Sequence, residues 1–180
     1  MKYVRGDLIQ MGVDNIFDII GHGCNVHNAM GSGIAAFIRT TFPEAYKADC
    51  ATIKGDREKI GTYSSCMITQ LRYFGCTSEL IILNCYTQFT YWDPNDMFSY
   101  EGLENVLIKI KEDFAEWFKN GGKIGFPLIG AGLAQGDWKR IKAIFDKVDI
   151  PNCYIVVKFD ADWMQIVAPT WENNDIIVTL

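Results

Sequence analysis

One stretch limits the folds open to this chain more than any other: Gly21-His22-Gly23-Cys24-Asn25-Val26-His27-Asn28-Ala29-Met30-Gly31-Ser32-Gly33-Ile34-Ala35. An apolar run, Ile16 to Ile20, leads into it, and a helix-like run, Ile34 to Phe42, leads out. Between them lie both histidines of the chain, two asparagines and four of its 16 glycines. A strand, a small-residue turn and a helix start in that order present backbone N–H groups at the positive end of a helix, where an anion binds. The spacing is neither GxGxxG nor a Walker A loop, so neither a Rossmann nor a P-loop fold is implied.

A second stretch repeats the arrangement. Lys123 to Leu128 reads as a strand, Ile129-Gly130-Ala131-Gly132-Leu133-Ala134-Gln135-Gly136 as a small-residue turn, and Asp137 as the opening of a helix through Lys147. In a parallel sheet the two turns meet beyond the strand C-termini, where ligands of open α/β sheets bind. Two facing nests of N–H groups suit a diphosphate better than a monophosphate.

The remaining pattern alternates strands with helices, an α/β arrangement. Strands are expected at Lys2 to Arg5, Asn15 to Ile20, Thr62 to Gln70, Glu79 to Tyr86 and Asn152 to Phe159, with Leu8 to Met11 extending the first. A turn at Gly75 to Ser78 makes the third and fourth a hairpin. Helices are expected at Gly33 to Thr41, from Pro43 through Asp49, and from Tyr100 to Asn120. The last carries apolar residues every three or four positions and stops at Gly121-Gly122. Asp175 to Leu180 adds an edge strand. Residues 1–160 are read as one domain, with 161–180 an extension packed on it.

Composition narrows the function. At 49% hydrophobic and 22% charged residues the chain is globular. A net charge of -5 argues against general nucleic-acid binding or attraction to an anionic membrane. No apolar run approaches the roughly 20 residues that span a bilayer, and the start lacks the apolar region of a signal peptide. The six cysteines form no CxxC pair and sit mostly in apolar runs, which points to reduced thiols and a cytoplasmic location. No metal site or cofactor is expected from two histidines and unpaired cysteines.

Four motifs together resemble the macrodomain family, the ADP-ribose-binding module. They are Val4-Arg5-Gly6-Asp7-Leu8, the first glycine turn, Asn84-Cys85-Tyr86-Thr87-Gln88, and Phe126-Pro127-Leu128-Ile129-Gly130-Ala131-Gly132-Leu133-Ala134-Gln135-Gly136-Asp137-Trp138. They are most similar to the branch of ADP-ribose 1''-phosphate phosphatases and ADP-ribosyl-glutamate hydrolases. The resemblance implies a three-layer α/β sandwich, a mixed central sheet with helices on both faces. It implies ADP-ribose or ADP-ribose 1''-phosphate as the ligand, free or on an ADP-ribosylated macromolecule.

The resemblance also distributes roles. Asp7, beside Leu8, takes the adenine amine; otherwise it is a turn residue. Met30, Gly31, Ser32, Gly33 and Ile34, with Gly130, Ala131, Gly132 and Leu133, line the phosphates. Asn25 bonds the distal ribose or holds a left-handed turn. His22 transfers a proton or is a satisfied core residue. Asp137 activates water, caps its helix, or does both. Phe159 stacks on adenine or closes the core, and Tyr91 and Trp92 cover the ligand or seal the core. Two departures count against the lysine-dependent hydrolases: Gln70 stands where they carry the nucleophilic lysine, and Ala134 where they carry an Asp. Phosphatase action at the terminal phosphate is the leading expectation. Binding without turnover, or ADP-ribosyl hydrolysis without a lysine, are the alternatives.

Overall fold

The computed structural model describes residues 1–71, 76–93, 96–158, 163–172 and 175–180. The elements run β1 (Lys2–Arg5), α1 (Leu8–Val13), β2 (Ile19–Asn25), α2 (Gly33–Thr41), α3 (Pro43–Cys50), β3 (Tyr63–Leu71), β4 (Thr77–Gln88), α4 (Tyr100–Asp113), α5 (Ala115–Lys119), β5 (Ile124–Phe126), α6 (Trp138–Val148), β6 (Cys153–Val157) and β7 (Ile176–Ile177). The seven strands form one sheet in the order β3-β4-β2-β5-β6-β1-β7. All pairings are parallel except β3 with β4, so the sheet is mixed.

Alternation along the strands makes three layers. Ile19, Leu83, Ile124 and Ile155 point to one face, under Leu103, Val106, Leu107 and Ile110 of α4 and Ile141 and Phe145 of α6. The α4 residues follow the helical repeat, and each such burial contributes about 1.5–3 kcal/mol. Ile20, Ile82, Val156 and Val4 point to the other face, under Leu8 and Met11 of α1, Ile38 of α2 and Ala45 of α3.

Four local expectations need correction. Leu8 to Met11 is helix, not strand, because Asp7 caps it: its Oδ1 accepts from the N–H groups of Ile9 and Gln10 at 3.0 and 3.1 Å. β2 starts at Ile19 and runs on to Asn25, so Gly21 and Gly23 are strand residues and the turn begins later. Gly21 is glycine because the Phe126 ring of neighbouring β5 occupies the space a Cβ would take. The helix from Tyr100 breaks at Phe114 into α4 and α5. Gln70 pairs with Ser78 at the start of β4, the end of the sheet opposite the glycine turns. It therefore does not hold the place of a nucleophile at the ligand. The turn expected at Gly75, the aromatic Phe159 and the boundary at Asp160 lie outside the described residues.

Candidate functional site

β2 and β5 are parallel neighbours, so the segments that leave their C-terminal ends emerge side by side. Residues 26–32 lead from β2 into α2, and residues 127–137 lead from β5 into α6. The two come close where the first enters its helix: a Cβ added at Gly33, the first residue of α2, would stand 3.4 Å from Leu133 Cδ1. At Gly31 and Gly132 a Cβ would meet nothing within 4 Å. Gly31, Ser32, Gly33, Gly132 and Leu133 are all exposed, so the crest of both turns is open.

The main chain at this crest is rich in donors. Ser32 is the N-cap of α2 and makes no side-chain cap bond. The N–H groups of the first helical turn, including Ile34, have no partner within the helix. In the second turn, Ala131 N–H bonds Leu128 O, Gln135 N–H bonds Gly132 O and Gly136 N–H bonds Gly130 O. Among the described residues the N–H groups of Gly132, Leu133 and Ala134 have no backbone partner. Gly130 (φ 79°) and Gln135 (φ 56°) are left-handed and bend the segment back on itself. Met30 is buried beneath the first turn, with Cys24, Val26 and Tyr86.

The polar side chains near the crest are mostly committed. Asn25 closes its own turn: its Nδ2 donates to Ala29 O and its Oδ1 accepts from His27 N–H, both at 2.9 Å. One amide N–H remains for a ligand. Asp137 caps α6, its Oδ1 accepting from Lys139 N–H at 2.9 Å, and its own N–H donates to the Tyr100 hydroxyl. Its carboxylate is otherwise exposed.

His22 is a correction. It lies in mid-strand, fully buried, with its Nε2 2.8 Å from Asn84 Oδ1. Asn84 in turn donates to Ala45 O and Ser64 Oγ, which identifies its oxygen as the acceptor and His22 Nε2–H as the donor. Burial lowers the imidazole to about 4, so it is neutral. Its ring is thus held inside the fold by Asn84 and not presented at the exposed crest.

Two lysines escaped the sequence reading. Lys59 is buried, and its Nζ donates to Val26 O at 3.0 Å and Asn28 Oδ1 at 3.3 Å, pinning the first turn from below. Asn28 is left-handed (φ 56°) and also donates to Asp49 O. Asp49 sits 4.0 Å from Lys59 and accepts from the Tyr86 hydroxyl at 2.9 Å. Burial pushes the Asp49 carboxyl up and the Lys59 ammonium down. Lys158, just past β6, meets Asp7 Oδ2 at 2.6 Å. Neither lysine stands in a recognisable motif; both meet their partners only because distant segments pack together. His27, of the first turn, forms a ring cluster with Phe89, Tyr91 and Trp92, of which Tyr91 and Trp92 are more than half exposed.

The macro domain family model matches residues 22–145, well over half the chain and both glycine segments. The chain belongs to the macro domain family. It is 35% identical over 147 residues to an uncharacterized 17.5 kDa protein in the tk-vs intergenic region of Enterobacteria phage T4, covering 81% of this chain and 88% of that one. It is 24% identical over 161 residues to an ADP-ribose 1''-phosphate phosphatase of Lodderomyces elongisporus, covering 87% and 98%. The macrodomain of Mycobacterium tuberculosis DarG superposes with a TM-score of 0.62 at 19% identity, covering 88% and 99%. This last likeness establishes the macrodomain fold.

Proposed function

We propose that the cleft between the two glycine turns binds ADP-ribose-type nucleotides, and that the chain hydrolyses the terminal phosphomonoester of ADP-ribose 1''-phosphate. The observation that supports the binding is the close approach of Gly33 and Leu133 in an open crest that also holds Gly31 and Gly132. Main-chain N–H groups on both sides grip a pyrophosphate without any charged side chain. Asp7 lies at the adenine end, Asn25 and Asp137 toward the terminal ribose. The name of the Lodderomyces relative supports the hydrolytic step.

In that step water attacks phosphorus, the bond from phosphorus to the 1'' oxygen breaks, and inorganic phosphate leaves. Asp137 orients the water and takes its proton; the departing ribose oxygen takes a proton from solvent. The buried His22 has no part in it. Phosphate release from ADP-ribose 1''-phosphate tests the reading, with the Asp137→Asn protein beside the native one. Release lost in the variant supports hydrolysis by this route. Tight ADP-ribose binding with no release by either protein reduces the function to recognition. No binding of either nucleotide overturns the whole assignment.

A further inference from the structure

The sheet ends in two unlike edges. At one, β7 is only two residues long, so little main chain is left unpaired there. At the other, β3 runs nine residues in unbroken antiparallel register with β4. Ile81 N–H donates to Asp18 O on the β2 side, and Ile81 stands opposite Met67. The alternation of the ladder then turns the main-chain N–H and C=O groups of Tyr63, Ser65, Met67, Thr69 and Leu71 away from β4. Among the described residues no strand or loop pairs with that outer side.

An edge of this length is normally blunted by a charge, a proline or a bulge. β3 has none of them: Tyr63–Leu71 holds no acidic residue, no basic residue and no proline, and its register never shifts. Ser65, Met67, Thr69 and Leu71 are exposed on one face, Met67 at 54% and Leu71 at 83%. The strand is also its own complement. A two-fold axis through Met67 pairs the whole of β3, antiparallel, with the same strand of a second copy. On the exposed face Met67 then meets itself, Ser65 the partner's Thr69, and Tyr63 the partner's Leu71. On the other face Ser64 meets the partner's Gln70, and Cys66 the partner's Ile68. Polar falls on polar and apolar on apolar on both faces, the cross-strand match that stabilises a sheet. No like charges oppose each other along the strand, although each chain carries a net charge of -5. A strand of unrelated sequence would gain the main-chain bonds without this match, which favours a second copy as the occupant.

We propose that β3 is a homodimer interface, at which two copies join edge to edge into one continuous sheet. The inference does not rest on what the glycine turns bind. The paired edge is about 30 Å long. An interface of that kind lies at the small end of specific ones, so the dimer is weak, with a dissociation constant on the order of 10 µM. Sedimentation velocity of the full chain from about 1 to about 300 µM tests it. The native protein passes from monomer to dimer across that range. Met67→Lys sets two ammonium groups against each other at the axis and weakens association at least about tenfold. Its melting temperature stays near the native one, because the side chain is exposed. Ser65→Glu and Thr69→Lys in one chain place opposite charges across the axis, and this double variant dimerises at least as tightly as the native protein, with a gain that salt removes. A native chain that stays monomeric throughout overturns the inference and leaves the edge to solvent or to a strand of another protein. A native dimer that Met67→Lys leaves intact overturns it as well, since the contact then lies elsewhere. Loss of the dimer in the double variant overturns the antiparallel register, and the pairing with it.

Discussion

The segment from β2 into the first glycine turn has two halves built on opposite rules. Below, on the α3 face, polar side chains are buried and spoken for: His22 by Asn84, Asn84 by Ala45 and Ser64, and Lys59 by Val26 and Asn28. At the crest the chain is nearly bare: among the described residues the N–H groups of Gly132, Leu133 and Ala134 have no backbone partner, and a Cβ at Gly31 or Gly132 would meet nothing within 4 Å. The residues with conspicuous chemistry thus hold shape, while the chemistry offered to a ligand belongs to the peptide bond. Buried polar groups are as a rule partnered within the fold, and His22, Asn84 and Lys59 all are. At the crest Gly132 and Leu133 are exposed, so solvent can serve their N–H groups without a partner in the fold.

The largest test of this division is Lys59→Met. It removes the ammonium from Val26 O, Asn28 Oδ1 and Asp49 and leaves a buried carboxylate without its cation, so chemical denaturation should show a loss of about 3–5 kcal/mol. A loss under about 1 kcal/mol would mean that the first turn holds its shape without support from below. Next comes a paired glycine test. Gly130→Ala places a methyl into the Phe98 ring at a left-handed position and should cost about 3 kcal/mol. Gly132→Ala points into open space and should leave the melting temperature within about 1 °C while weakening ADP-ribose binding about tenfold, because the methyl meets the ligand. Equal effects on melting from both substitutions would erase the distinction between scaffold and crest.

A third test reads His22 directly. Its folded pKa of about 4 lies below the ordinary 6.5, so the unfolded chain takes up the proton first as pH falls. The contribution of this group to stability is complete above pH 6.5 and is lost between there and about pH 4, to a total of roughly 3 kcal/mol. Its imidazole resonances should hold the neutral shift until pH approaches 4. A midpoint near 6.5 would place His22 in contact with solvent and return it to the site.

Much of this was legible beforehand. The two strand–turn–helix units stood out because small residues interrupt apolar runs, and the α/β class followed from their alternation with helices. The failures share one cause: sequence spacing does not show which side chains meet across the fold. His22, next to the first glycine turn, is open to two readings, proton transfer or a satisfied core residue, and the strand placement and the bond to Asn84 match the second. Leu8 to Met11 looked like strand because four residues cannot separate the two periodicities; the cap from Asp7 decided it. Lys59 and Lys158 stand in no sequence motif, and the packing of residues 26–28 and of β1 beside β6 brings them to the partners named above. Gln70 looked aligned with a nucleophile because chain order says nothing about which end of an antiparallel strand faces the ligand.

The smallest expected effect decides the most about chemistry. Asp137 belongs to both halves of the comparison: its Oδ1 caps α6, and its carboxylate lies exposed beside the second turn. Asp137→Ala removes cap and charge together, costs about 1 kcal/mol, and confounds the two. Asp137→Asn keeps a side-chain oxygen for the Lys139 N–H and should change stability by only a few tenths of a kcal/mol, because Asn caps helices about as well as Asp. Any loss of phosphate release in Asp137→Asn beyond its loss of ADP-ribose affinity then measures the carboxylate as a base, expected at about a hundredfold or more. Release within about twofold of native in Asp137→Asn, alongside a destabilised but active Asp137→Ala, would assign the residue wholly to the scaffold. Catalysis would then have to come from the crest itself, by main-chain N–H groups holding the phosphoryl oxygens while water attacks unaided.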